Sequence, residues 1–448
     1  MDPLTIDPRT SASPLMSSTH DLEAAPPSAR PMSTCTAALM LSAFSLGVGV
    51  FLMPSVFAQL GLGLGVTLLV LFGLLSTAVA FAITTIADHH AMASMAELVA
   101  RVPLAPTLSH VFVLITLVTG NASHLQLVAS MAFDLMESFV TGDYGAYAFT
   151  RAHKAVLLLL FIGAVLPFCL VADLSRLKHM GKLVSATVIL TCVALVSNCA
   201  YSIAHDGAIG VGPSTANATL PALPADAGTA IRLLPTICFT YTSLFSLFPL
   251  RTVLLAKDAA RGAAQMRRAV LVAGALQTAL YTIVATAAAL AFGEEAGATV
   301  HGTRQANGNV LYNFAPNDYL ITSLSFLLVV VIVLDYPIIQ FPAVDAARHL
   351  LPRAIGEAPH LQLGATVAFA AAVLALDLFI PDLSDLFGLC GSLGISGYCY
   401  IIPGGVIARL GHTRGLQLFG ALTCVVGVFI LVASTYFIMQ HITTNSSS

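Results

Sequence analysis

Long apolar runs recur along the whole chain, and they restrict it to one class of fold. Of its 448 residues, 57% are hydrophobic and only 9% are charged, and the mean hydropathy is +0.88. This composition excludes a water-soluble globular protein. A helix needs about 20 residues to cross a hydrocarbon core of about 30 Å, because it rises about 1.5 Å per residue. The chain is therefore predicted to be an all-α polytopic membrane protein.

Eleven runs are long enough to be membrane spans. They are predicted at 36–58, 62–87, 107–134, 154–171, 182–204, 229–252, 268–292, 318–342, 362–380, 385–409 and 415–440. Residues 1–34 precede them and are rich in Ser, Pro and Thr. We expect this tail to be disordered and cytosolic rather than a signal peptide, because no basic segment leads into a short apolar run.

The basic residues predict the orientation of the spans. With the amino terminus in the cytosol, 15 of the 19 Lys and Arg residues fall on the cytosolic side. Cytosolic loops of membrane proteins carry this excess, so the carboxyl terminus is predicted to be extracytosolic. The extracytosolic loop 205–228 contains the sequon Asn217-Ala218-Thr219. Asn217 is therefore a candidate glycosylation site.

The first span contains helix-breaking residues, namely Gly47, Gly49 and Pro54. Irregular backbone at membrane depth is tolerated where protein or a water-filled cavity supplies the missing hydrogen-bond partners. If the helix opens near "SLGVGVF", the amides of residues 47–51 lie at the start of a half-helix, where the helix dipole favours an anionic group such as a carboxylate. The alternative interpretation is close packing of helices through small residues.

The sixth span, "IRLLPTICFTYTSLFSLFPLR", is the one in which an inverted repeat of five spans would place a second interruption. It contains Pro235, Pro249 and a central run of hydroxyl residues at 240–243. Such hydroxyl groups often bond back to carbonyls of their own helix. Its pairing with the first span favours a functional interpretation.

Several motifs occur in a familiar order after residue 36. They are "SLGVGVFLMPSVFAQLGLGLG" in the first span, "AFGEE" at the end of the seventh, "NVLYNF" at 309–314, "DYPIIQFPAVDAAR" in the eighth and "LFGLCGSLGISGYCYIIPG" in the tenth. Together they resemble the amino acid/auxin permease family of amino acid transporters, and the kinetoplastid-type members in particular.

This resemblance implies a LeuT-type fold of five plus five inverted helices with an eleventh added. The transporter domain would then cover 35–442, with the first repeat at 36–204, the second at 229–409 and the extra helix at 415–440. The resemblance also implies a substrate carboxylate held by the first span, and an amino group and side chain facing the sixth. The candidate substrate-binding residues are Gly47, Val48, Gly49, Val50, Asn121, Phe239, Thr240, Tyr241 and Thr242.

Ionisable groups within the spans are candidates for ion coupling. Asp335 lies in "VVVIVLDYPII", where an ionised carboxylate costs about 2.5 to 3.5 kcal/mol on insertion scales. We interpret it as a proton site or as a counter-ion for a cationic substrate, with helix packing as the alternative. His124 lies one turn after Asn121 in the third span. This pair lines the same cavity or joins neighbouring helices.

The function predicted from these features is secondary active transport of amino acids, coupled to protons. The alternatives are an amino-acid-sensing receptor that signals without flux, and an uncoupled or vacuolar exporter; a preference for cationic amino acids remains open. We expect no enzymatic activity, no metal site, no cofactor besides the coupling proton and no nucleic-acid partner. The expected location is the plasma membrane, with a vacuolar or lysosomal membrane as the alternative, and the oligomeric state is open.

Overall fold

A computed structural model describes residues 32–141, 150–170, 178–205, 220–221, 223–256, 259–293, 296, 308–314, 318–352, 361–380 and 382–446. Most of the predicted tail, the sequon at Asn217 and most of loop 205–228 lie outside these ranges. The regular elements inside them are helices, as the composition predicts. Ten of these described helices are long and apolar enough to cross a membrane. The interrupted first span brings the number to eleven.

The first span consists of Thr34–Ser45, a 3-10 helix at Val48–Phe51 and Met53–Leu60. The next four spans are single helices, Leu62–His89, Ala105–Thr141, Arg151–Cys169 and Lys178–Ala204, and the sixth is broken into Ala227–Phe239 and Leu244–Leu255. The seventh, eighth and ninth are Ala259–Phe292, Tyr319–Leu350 and Leu361–Phe379. The tenth comprises Leu383–Leu389, a π-helix at Cys390–Ile401 and Ile402–Leu410; the eleventh comprises Arg414–Phe429, a π-turn at Ile430–Ser434 and Thr435–Ser446. A short helix, Met95–Val99, joins the second and third spans.

Three spans extend well beyond the bounds that their hydropathy predicts, because polar residues continue the helix past the apolar run. The seventh begins at Ala259 rather than 268. The third ends at Thr141 rather than 134, so Asp134 and Glu137 lie on the helix, where both are buried. The eighth continues to Leu350, past Pro337 and Pro342. The π-helix of the tenth span was not predicted, although it coincides with the glycine-rich motif.

Glycines of this π-helix allow the tenth span to lie against the third and sixth. A Cβ atom added at Gly391 would lie 2.1 Å from the carbonyl oxygen of Pro235. One added at Gly394 would lie 2.3 Å from Oγ1 of Thr116, and one at Gly397 would lie 2.2 Å from the ring of Phe112. At these three positions atoms of the neighbouring spans occupy the space that a side chain would need, so only glycine fits.

We expect Gly391→Ala to destabilise the protein by about 1 to 3 kcal/mol, the usual cost of overpacking. Its methyl group meets backbone, which cannot rotate away. Thermal denaturation in detergent measures this effect. The matched control is Gly364→Ala in the ninth span, where an added Cβ meets nothing within 4 Å. Because alanine is the better helix former, that variant should be unchanged or slightly more stable. Equal stabilities of the two variants would contradict the packing described here.

Candidate functional site

The first span opens at Gly47. The helix Thr34–Ser45 ends there, and the Gly47 backbone is extended, with φ −112° and ψ −165°. The 3-10 helix that follows is closed by bonds from Val50 N to Gly47 O (3.3 Å) and from Leu52 N to Gly49 O (3.2 Å). Neither bond uses the amides of Val48 and Gly49. These two N–H groups lie at the start of the half-helix, where intrahelical partners are missing.

The two glycines of this segment have different surroundings. A Cβ added at Gly47 would meet no heavy atom within 4 Å, so open space lies beside the backbone at the break. A Cβ added at Gly49 would lie 3.1 Å from the ring of Phe239 in the sixth span. Gly49 thus packs against protein, whereas Gly47 faces a vacant volume. Val50, which follows, is fully buried.

The sixth span is interrupted beside the first. Helix Ala227–Phe239 stops before Thr240, and the next helix starts at Leu244. Thr240 bonds back to its own helix through Oγ1, which donates to Ile237 O at 2.7 Å. Thr242 reaches the other break, with its Oγ1 3.5 Å from Oγ of Ser45. The two interruptions therefore adjoin each other.

Ser45 is also held by the seventh span. The hydroxyl of Tyr281 donates to Ser45 O at 2.7 Å, which gives a partner to a carbonyl at the end of the first half-helix. Tyr281 is fully buried. Sequence reasoning missed it, because a single tyrosine in an apolar helix gives no signal of its position. The Ser45 carbonyl also accepts from Gly47 N at 3.0 Å, so the Tyr281 hydroxyl is a second donor to a carbonyl that has lost its helical partner at the break.

The side chain of Tyr241 points away from the Gly47 break. Its hydroxyl donates to Leu69 O of the second span at 2.8 Å and lies 3.2 Å from Oγ1 of Thr278 in the seventh. It borders a cavity of about 10 Å³, also lined by Ser76 and Gln277. That volume holds about one water molecule. The Tyr241 side chain thus joins helices around this small polar cavity.

We expect Tyr241→Phe to cost about 0.5 to 1.5 kcal/mol, the net contribution of the hydrogen bond it removes. Thermal denaturation measures this loss. Substrate affinity, measured in parallel, should stay within twofold of the wild type, because the hydroxyl contacts helices rather than the vacant volume. A large fall in affinity at unchanged stability would instead assign this hydroxyl to the substrate.

Phe387 of the tenth span connects the sixth span to the third. Its ring centre lies 4.9 Å from that of Phe239, in an edge-to-face arrangement, and 6.3 Å from that of His124. Phe239 in turn contacts Gly49, as above. The structure thus links four predicted or newly found residues in one continuous series, Gly49, Phe239, Phe387 and His124. Phe387 lies in the glycine-rich motif, but its role could not be read from the sequence.

The polar pair of the third span is buried with unused hydrogen-bonding capacity. Asn121 is fully buried, and neither its Oδ1 nor its Nδ2 has a partner among the described residues. Within the same part of the chain, Nδ1 of His124 is likewise buried and unpaired. Buried polar groups of this kind are normally satisfied by protein, water or ligand. These atoms are therefore available to a polar molecule bound near Phe387.

In the part of the chain that the structure describes, no hydrogen bond, ion pair or ring contact joins Asp335 to this site. It lies on the eighth span, partly buried, next to the buried Tyr336. Its predicted role in coupling therefore stays a prediction.

Charged networks join the spans at the two ends of the bundle. At one end, here named the Asp88 end, Arg251 donates to Asp88 at 2.7 Å and to Met92 O at 2.8 Å, and Arg267 also pairs with Asp88. At the Asp385 end, Arg232 donates to Asp385 at 3.3 Å and to Gln59 at 2.9 Å. His441 of the eleventh span lies 3.0 Å from the other Asp385 oxygen. The network at the Asp88 end joins the sixth span to the second and seventh, and the network at the Asp385 end joins it to the first, tenth and eleventh.

Adjoining interruptions in the first and sixth of eleven spans define a LeuT-type transporter fold. The family model described as "Transmembrane amino acid transporter protein" matches residues 30–443. The chain belongs to this family of membrane transporters, as the sequence motifs predicted. No curated protein sequence matches the chain.

The chain is also similar in structure to a solved transporter. A mutant of the manganese transporter of Eremococcus coleocola is 12% identical, with a TM-score of 0.50, and the match covers 89% of this chain and 85% of that one. A second mutant of the same protein is also 12% identical, with a TM-score of 0.49 and coverage of 90% and 85%. Its complex with an aromatic bis-isothiourea substituted compound is 13% identical, with a TM-score of 0.48 and coverage of 90% and 86%. At this level of identity the likeness concerns the fold alone.

Proposed function

We propose that the chain is a proton-driven secondary transporter of amino acids, in which the Gly47 break holds the substrate carboxylate. The observation that carries this proposal is the vacant volume beside Gly47, next to amides that the neighbouring helical bonds do not use. Oriented N–H groups in a water-poor site are suited to an anion. The carboxylate is the group that all α-amino acids share.

The rest of the substrate would lie toward the third, sixth and tenth spans. The partial negative charge of the carbonyls at the end of helix Ala227–Phe239 suits an ammonium group. Unpaired polar atoms of Asn121 and His124 supply donors and acceptors on the opposite wall. Between them, the rings of Phe239 and Phe387 form an apolar surface for the substrate side chain. Asp335 and His124 remain the predicted coupling groups.

A divalent metal fits the described residues less well as cargo. The similar Eremococcus protein is a manganese transporter by name, but only its fold is comparable. Metal transport needs a cluster of carboxylate, imidazole or thiolate ligands. In the described ranges, no group of three or more His, Cys, Asp or Glu side chains is placed to hold a metal ion. The polar groups at the break are amides and hydroxyls, which favour an organic anion.

Uptake into proteoliposomes tests this function. The purified full-length chain is reconstituted, an inward proton gradient is imposed, and a panel of labelled amino acids is competed against arginine. Accumulation that collapses with the gradient is expected. Substrate binding without flux would indicate the receptor, and flux without gradient-driven accumulation would indicate an uncoupled carrier or exporter. Transport of manganese but of no amino acid would overturn the proposal.

A further inference from the structure

The ninth span carries a buried carboxyl group that the proposed substrate site does not use. Asp377 lies in its last turns on the buried face formed with Phe369 and Val373, and its side chain is 0% exposed. Neither carboxylate oxygen has a hydrogen-bond partner among the described residues. An ionised carboxylate in such a place is strongly unfavourable unless a cation or several donors contact it.

A buried ammonium group lies close to this carboxyl without bonding to it. Lys154, in the first turn of the fourth span, is 7% exposed, and its Nζ donates to Ile380 O at 3.5 Å. Ile380 directly follows the ninth span, so the ammonium lies at the carboxyl end of the helix that carries Asp377, where the helix dipole favours a cation. The two groups interact electrostatically. The carboxyl group and the ammonium group are thus close to each other, yet no hydrogen bond joins them in the part of the chain that the structure describes.

The other titratable groups around Asp377 give it no strong alternative partner. The fourth span adds Arg151, which repels Lys154, and the eighth span presents the buried hydroxyl of Tyr336 beside Asp335. The third span carries Asp134 and Glu137 near the same end, and these have contacts of their own. Asp382, just beyond the ninth span, also attracts the Lys154 ammonium. Burial raises the pKa of Asp382 to about 6, and the neighbouring Asp385 acts in the same direction.

We propose that the Asp377 carboxyl, with the Lys154 ammonium beside it, is a proton-binding site of the transport cycle. This inference rests on the proposed function. In the described conformation the carboxyl holds the proton and is neutral, which removes the cost of an unpaired buried charge. When the fourth and ninth spans shift against each other, the O–H bond breaks and the proton passes to water. The carboxylate left behind then pairs directly with the ammonium.

The positions of the two helices suit this exchange. The fourth and ninth spans pack against each other. In the predicted arrangement of five plus five inverted helices they occupy equivalent places. Such repeats move relative to each other during alternating access. A motion that changes the distance between Asp377 and Lys154 would therefore couple proton release to the conformation of the carrier, away from the bound substrate.

Reconstituted variants test the site. Asp377→Asn resembles the protonated group and cannot release a proton. We expect at least a tenfold loss of gradient-driven accumulation and of substrate-dependent proton flux, with counterflow exchange within twofold of the wild type. Lys154→Gln should show the same loss, because the deprotonated Asp377 carboxylate would then have no cation to pair with. Lys154→Arg keeps a cation and should restore part of the coupling. Unchanged proton flux in Asp377→Asn would overturn the proposal. So would a result in which Asp335→Asn loses proton flux and Asp377→Asn keeps it.

The matched control is Asp226→Asn. Asp226 is exposed, and hydrogen bonds from the Thr229 amide and hydroxyl lower its pKa, so it stays ionised in the neutral range. Asparagine caps the same helix equally well. Proton flux in this variant should match the wild type.

A labelling measurement on the wild type does not depend on folding of the variants or on amino acid uptake. A hydrophobic carbodiimide reacts with protonated carboxyl groups, and mass spectrometry locates the adduct. We expect labelling of Asp377 at least fivefold above that of Asp226 and decreasing as the pH rises. An unlabelled Asp377 at acid pH would contradict the inference. If the wild type transports no amino acid but Asp377 is labelled in this way, the proposed function fails while the proton site stands.

Discussion

Asp88→Asn is expected to destabilise the protein by about 3 to 5 kcal/mol, the cost of leaving one partner of a buried ion pair unpaired. The Arg251 side chain is 4% exposed, and its guanidinium holds Asp88 at 2.7 Å. Among the described residues, its Nε has no partner at all. Without the carboxylate, the buried guanidinium would have only neutral acceptors beside it, the carbonyl of Met92 and the amide oxygen of the new side chain. Thermal denaturation of the purified protein in detergent measures the loss.

The control for this prediction is Arg267→Gln at the same network. Its side chain is 33% exposed, so the contact with Asp88 is screened by solvent and should contribute at most about 1 kcal/mol. Asp88 would still be neutralised by Arg251. If Asp88→Asn proved no less stable than Arg267→Gln, the buried pair would not be holding the second, sixth and seventh spans together at the Asp88 end.

Gly47→Ala is expected to reduce amino acid uptake at least tenfold, about 1.4 kcal/mol in binding terms, while leaving stability almost unchanged. The added methyl group meets no protein atom within 4 Å, and the extended Gly47 backbone accepts any residue. It would, however, fill the space in which the substrate carboxylate must approach the amides. Uptake by proteoliposomes and thermal denaturation of the same preparation measure the two effects separately.

The matched substitution is Gly63→Ala in the second span, where an added Cβ also meets nothing within 4 Å. It lies at a helix start away from the break and should change neither uptake nor stability by a measurable amount. Wild-type uptake by Gly47→Ala would show that the vacant volume is not the carboxylate site. Lost stability in that variant would show that the volume is packed in the folded protein.

Several features of the fold followed directly from the sequence. Eleven apolar runs fixed the number of spans, since the bilayer thickness sets the length of each helix. Gly47, Gly49 and the hydroxyl run at 240–243 located both interruptions, because backbone that leaves a helix in lipid needs residues that permit it. The order of the motifs identified the family. Each of these signals is local, or repeats at a fixed spacing along the chain.

Other features depended on contacts between spans distant in sequence. Tyr281 reaches Ser45 across 236 positions, and Arg251 reaches Asp88 across 163. No periodicity marks such residues, because their partners are chosen by how the helices cross. Tyr241 illustrates this. Its position in a hydroxyl run predicted a role in substrate binding, whereas its side chain contacts the second and seventh spans rather than the Gly47 break.

The sequence by itself determined that this chain is an integral membrane protein, which of its helices are interrupted, and to which family it belongs. Only the tertiary structure decided which polar groups are satisfied and which are not. The sequence places Asp377 and Asn121 within apolar runs and Lys154 at the start of one, but their hydrogen-bond partners depend on the rotation of each helix about its own axis. That rotation is set by close packing between spans, such as that of Gly391 on Pro235, and is not encoded at any single position.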